Sequence, residues 1–205
     1  MPNANFDLSV FKENINTEFQ EPYGKVLPIK ALKTDSQGKA SLKNILGVGK
    51  IKTCDYLSIE NNSLLMIEFT DLKSQEEGTE ELLSKLKNKQ CPVDKINKRL
   101  CVKNEAKKIE DRFKAKDLVF SELRQKCIET TLLTHKIADK ENFIYTQKFE
   151  NKKFIVVVKE LKPADAPAMG LLKNKLSSAL QNIVDIVKII PQDHLEGLFE
   201  KAVNS

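Results

Sequence analysis

Lys52-Thr53-Cys54-Asp55-Tyr56-Leu57-Ser58-Ile59, followed by Asn61-Asn62 and then by Leu64-Leu65-Met66-Ile67-Glu68-Phe69, is the stretch that decides the fold. Residues 51–59 alternate and are rich in β-formers, the paired asparagines signal a turn, and 64–69 is an apolar run. The pattern predicts a β-hairpin whose second strand is buried on both faces. Such burial places that strand centrally, in a sheet covered by helices.

Working upstream, residues 7–19 read as a short amphipathic helix, because Leu8, Phe11, Ile15 and Phe19 recur at helical spacing. Glu21-Pro22-Tyr23-Gly24 breaks it. Residues 25–33 suit a strand, which Pro28 assigns to an edge or a loop. Asp35-Ser36-Gln37-Gly38 is a turn signal, and a short helical piece is expected at 40–46.

Downstream, 76–90 reads as a helix with an acidic start and a basic end, closed by Pro92. A long helix is expected over 104–137, with Ile109, Phe113, Phe120, Leu123 and Cys127 on one face. Residues 143–149 and 154–161 read as a second hairpin, the run Ile155-Val156-Val157-Val158 being strand. After a loop at 163–167, Leu172, Leu176, Ala179, Ile183, Ile186 and Ile190 mark a helix that Pro191 ends. A terminal helix over 195–203 follows. The expected class is α/β in the α+β sense: a mixed central sheet built from two hairpins and flanked by helices. One domain spanning 1–205 is expected, with its core at about 7–161 and a C-terminal helical segment at about 165–205.

A chain of 205 residues, 40% apolar and 31% charged, can bury one sizeable core. With no Trp and only 7 Gly and 7 Pro, low-complexity and collagen-like readings are excluded. No apolar run approaches the roughly 18 residues that span a bilayer, and residues 1–7 lack the basic and apolar regions of a secretory signal. A cytoplasmic protein with no membrane partner is the expectation. Cys54, Cys91, Cys101 and Cys127 form no CxxC pair, and with only His135 and His194 beside them no zinc spacing exists. Four reduced thiols are expected.

Charge is uneven. From Lys85 to Lys116 there are twelve Lys or Arg against four Asp or Glu, a local +8 that leaves −3 elsewhere in a chain of net charge +5. Concentrated positive charge suits phosphate binding, since each neutralised phosphate releases counterions. It is equally what a solvated lysine-rich helix face looks like.

The chemistry resides in the first hairpin. Asp55 on its first strand and Glu68 near the end of its second converge if the register is right. Two carboxylates with no His or Cys partner form an oxygen-ligand site suited to Mg²⁺ or Mn²⁺. No GxxxxGK[ST], GxGxxG or GxSxG motif offers an alternative. His135, His194 and Cys54 have no motif partner.

Residues 52–59 with 65–70 resemble the core of the PD-(D/E)XK nuclease superfamily, in which one strand supplies Asp and its neighbour supplies Glu or Asp, any residue, then Lys. The resemblance covers 51–90, and the rest by element order only. It implies a restriction-endonuclease-like fold and metal-dependent hydrolysis of nucleic-acid phosphodiesters, with Asp55 and Glu68 as metal ligands. The motif lysine falls on Thr70, which carries no charge. Lys73, or a lysine among Lys85, Lys87 and Lys89, is expected to stand in. A second alignment places the motif on Asp71-Leu72-Lys73, and needs the strand to extend through Leu72 or to carry a bulge. Glu13 and Glu18 are candidates for a further carboxylate, and Thr70 and Gln75 for hydrogen bonds near the site. Lys95, Lys98, Arg99, Lys103, Lys107 and Lys108 are expected to contact nucleic-acid phosphates. The alternative is a catalytically inactive nuclease-like fold that binds nucleic acid or protein. A third reading makes the 172–190 helix a homodimer seam or a protein-docking face.

Overall fold

A computed structural model describes residues 6–17, 19, 24–60, 63–72, 115–141, 149 and 151–203. The chain forms two compact units, one of residues Met1–Thr70 with Leu123–Ser205 and the other of Asp71–Glu122. The expected 76–90 helix, the 85–114 part of the basic segment, the start of the 104–137 helix and the 143–148 part of the second hairpin lie outside the described residues.

The first unit is built on six strands: β1 (Lys12–Asn16), β2 (Val26–Lys33), β3 (Tyr56–Glu60), β4 (Ser63–Thr70), β5 (Asn151–Val158) and β6 (Ile186–Pro191). They lie side by side in sequence order in one mixed, open sheet. β1 to β4 form an antiparallel meander, whereas β5 runs parallel to β4, and β6 parallel to β5. The helices are α1 (Leu42–Ile45), α2 (Ala115–Glu141), α3 (Ala166–Leu180) and α4 (Leu195–Val203). The protein is therefore α+β, and the expected β3–β4 hairpin is present, with Tyr56 paired to Ile67 and Glu60 to Ser63. No helix among the described residues is long and apolar enough to cross a membrane.

Alternation along β4 and β5 separates two layers. Ile67 and Phe69 of β4 and Ile155 and Val157 of β5 join Ile15, Tyr56 and Leu195 in one buried cluster, with Leu198 and Phe199 of α4 packed against it. On the other face, Met66 and Glu68 meet Thr131 and Lys126 of α2. Both faces of the central strands are thus covered, as the apolar run in β4 implied.

Four expectations are corrected. Residues 7–19 are not a helix: only Leu8–Phe11 makes one 3₁₀ turn, and the chain then enters β1. The spacing that suggested a helix also lets Ile15 point into the core, and Asn14, Asn16 and Thr17 are weak helix formers. β2 is not an edge strand, because it lies between β1 and β3. Pro28 is tolerated there because only Leu32 and Lys33 pair with β3, and because it faces the irregularity between Asn14 and Asn16 in β1. β5 is not half of a hairpin, since β4 and β6 occupy its two sides, both parallel.

Finally, the helix expected through Ile190 ends at Leu180, and 186–191 is strand. Asp185 makes the switch. Its amide donates to Lys152 O at 2.9 Å, and its carboxylate accepts from Lys152 N at 2.7 Å, so the β5–β6 ladder opens there. The β-branched run that follows fits a pleat better than a helix. A seam made of one continuous 172–190 helix therefore does not exist, and the C-terminal segment is not wholly helical.

Candidate active site

The ends of β2, β3 and β4 and one side of α2 meet around Asp55 and Glu68. Continuing the β3–β4 register one step beyond the Tyr56–Ile67 pair sets Asp55 opposite Glu68. Both are buried, at 5% and 1% exposure. The Asp55 Oδ2 atom accepts a hydrogen bond from the Phe69 amide at 2.6 Å. Glu68 Oε1 lies 2.5 Å from the ammonium nitrogen of Lys126 on α2.

The segment that carries Asp55 is fastened on two sides. The Thr34 amide donates to Asp55 O at 3.0 Å, and the Thr53 hydroxyl to Thr34 O at 3.0 Å. The Thr34 hydroxyl in turn donates to Cys54 O. From α2, Thr130 Oγ1 accepts from the Cys54 amide at 2.8 Å while donating to Lys126 O at 2.7 Å, and Glu129 accepts from the Lys52 amide. Thr130 therefore ties the Asp55 loop to the turn of α2 that carries Lys126. Thr130→Val keeps the volume and removes both bonds, leaving the buried Cys54 amide without its acceptor. A loss of about 1–3 kcal/mol in urea unfolding is expected, with Thr130→Ser recovering most of it. A valine variant as stable as the wild type would show that the tie contributes nothing.

Burial pushes the Asp55 carboxyl up from its ordinary 3.8 to about 6. The Phe69 amide and Lys126 pull in the opposite direction, Asp35 adds to the rise, and Lys33 opposes it. Lys33 is itself 3.1 Å from Asp35 and sits over the Tyr56 ring, 4.4 Å from its centroid. Burial raises the Cys54 thiol well above its usual range, with the Glu68 and Cys127 charges adding to it, so a thiolate nucleophile is disfavoured.

The structure brings together Asp55 and Glu68. Lys73, Lys85, Lys87, Lys89, Lys95, Lys98, Arg99, Lys103, Lys107 and Lys108 lie outside the described residues, as do Glu18 and Gln75. Glu13 is in β1, where its carboxylate accepts from the Tyr56 hydroxyl at 3.2 Å. β4 ends at Thr70, so Asp71 and Leu72 lie beyond the ladder that the second alignment requires. His135 and His194 are exposed.

Lys126 is the residue that sequence reading missed. It sits three residues after Leu123 and four before Thr130, inside the buried stripe of α2 that those residues share with Cys127 and Leu133. A lysine within an apolar stripe, 58 residues from the nearest motif carboxylate, was the available signal.

The donor set fits a hard divalent cation. Two carboxylates are offered, and burial pushes the thiols of Cys54 and Cys127 up, which disfavours a thiolate ligand. Among the described residues no group of three or more His, Cys, Asp or Glu is placed to hold a metal ion. Two carboxylates are the set that Mg²⁺ commonly takes, with substrate phosphate and waters completing the shell. Comparison of the chain with protein-family models, curated proteins and solved structures finds no match.

Proposed function

We propose that the chain is a divalent-metal-dependent nucleic-acid phosphodiester hydrolase of the PD-(D/E)XK kind, with a restriction-endonuclease-like core. Asp55 and Glu68 would hold Mg²⁺ or Mn²⁺, and Lys126 would take the part of the motif lysine. One observation carries this reading: an ammonium group 2.5 Å from one of two facing, buried carboxylates, delivered by α2. Carboxylate, carboxylate and lysine are the three groups the motif requires, and Thr70 leaves the third to be supplied from elsewhere. Among the described residues a hairpin, a helix and a parallel strand follow one another in the order expected of such a core.

When bound, the cation supplies a nucleophilic water at neutral pH and neutralises charge on the phosphoryl oxygens. The chain's own residues do the rest. Asp55 and Glu68 orient the reacting groups against the rigid end of the sheet. Lys126 places positive charge where the phosphoryl group gains negative charge. Burial of both carboxylates excludes competing water and strengthens each interaction.

The test is cleavage of plasmid, single-stranded DNA and RNA with Mg²⁺ or Mn²⁺, using wild type beside Asp55→Ala, Glu68→Ala and Lys126→Ala. Cutting by the wild type is expected, falling at least a hundredfold in each variant, in line with the loss of an electrostatic catalytic group. Cutting that survives in Asp55→Ala would overturn the assignment. No cutting by pure wild type would leave the fold as a binding module.

A further inference from the structure

Thr70 occupies the position that deprives the hairpin of its motif lysine, and its surroundings give it a part of its own. It lies two residues beyond Glu68 on β4, so by the pleat the two side chains leave the same face of the sheet. That face is the one α2 covers, where Lys126 meets Glu68. Thr70 is 2% exposed, and its hydroxyl oxygen is buried with no hydrogen-bond partner among the described residues. Buried hydroxyls are nearly always satisfied, and one that is not calls for an explanation such as an ion or a water. Val158, its register partner on β5, is apolar and gives it none, and Glu68 on the same face of β4 meets Lys126.

Resting on the cation site proposed above, we infer that the Thr70 hydroxyl is the third oxygen donor of that site, reaching the cation directly or through one of its waters. A hydroxyl is a neutral oxygen donor, so it adds a ligand without adding charge repulsion between carboxylates. Mg²⁺ and Mn²⁺ take oxygen ligands of this kind and keep several waters. With Lys126 supplying the ammonium from α2, position 70 is released for an oxygen. Threonine here is then a compensated exchange of roles and not a degenerate motif.

The inference is tested by binding alone, using Mn²⁺ and Mg²⁺ in isothermal titration and thermal-shift measurements on the full chain. The variants are Thr70→Val, Thr70→Ser and Asp55→Asn. Thr70→Val replaces the hydroxyl with a methyl of equal size, so without metal it should melt at or above the wild-type temperature. Its Mn²⁺ affinity should fall by about tenfold or more, the usual cost of losing a supporting group at a metal site. Thr70→Ser should bind like the wild type, and Asp55→Asn should not bind. A Thr70→Val protein that binds within twofold of the wild type, while Asp55→Asn does not bind, would overturn the role of Thr70 and leave the carboxylate site standing. A wild type that binds neither cation would overturn both.

Discussion

Lys126→Met is expected to lower the unfolding free energy at neutral pH, without added metal, by about 3–5 kcal/mol, the usual cost of removing one partner from a buried ion pair. Glu68 keeps only 2% of its side-chain surface exposed, against 19% for Lys126, so the carboxylate is the member that loses most by being left without its cation. Methionine keeps an unbranched apolar stem of similar length, which isolates the charge. The second arm of the experiment is Glu68→Gln in the Lys126→Met background. Removing the stranded charge should recover more than half of the loss, giving a coupling energy of about 2 kcal/mol or more in the double-mutant cycle. Urea unfolding of the single and double variants at neutral pH measures both. Additive single and double variants would mean that the pair is not coupled and that Lys126 is placed there for packing alone.

The second large effect follows from Asp55. Its carboxyl titrates at about 6 in the folded chain against an ordinary 3.8, because burial penalises the charge. Between those values the folded state holds a proton that the unfolded state has given up. Stability from this group is therefore greatest below about pH 4 and is lost as pH rises through 6. The shift corresponds to about 3 kcal/mol. Asp55→Asn removes the titration while its amide oxygen can still accept from the Phe69 amide. The stability of the wild type relative to this variant should fall by about 3 kcal/mol between pH 4 and pH 8. A flat difference would show that Asp55 is better solvated than its burial implies. Excess Mg²⁺ should reduce the fall, since a bound cation favours the ionised form.

Much of this fold is legible in the residues. Ile155-Val156-Val157-Val158 is a strand because β-branched side chains are buried on both its faces, and no helical period competes. The β3–β4 hairpin announces itself by alternation and a two-asparagine turn. Its register makes neighbours of Asp55 and Glu68. Where two periods agree with one sequence, local reading fails. Leu8, Phe11 and Ile15 fit a helix, and so do Ile183, Ile186 and Ile190. The open edges of β2 and β5 decide otherwise, and those edges exist only once the sheet does. Lys126 was hidden for a related reason. Its place inside the apolar stripe of α2 marks it as half-buried, but nothing local to the helix says which carboxylate it meets. Thr70, in contrast, was visible as an anomaly, although its burial and its unpartnered hydroxyl belong to the folded chain.

The separation of 58 positions between Glu68 and Lys126 also sets a timetable. At a synthesis rate of roughly 5–20 residues per second, the β1–β4 meander leaves the ribosome several seconds before the helix that neutralises it. In that interval, Asp55 and Glu68 are two carboxylates at the end of a half-built sheet with α2 not yet made. Closing that face over them would bury charge without compensation. The face must stay hydrated until Lys126 arrives, so docking of α2 and drying of the site become a single late event.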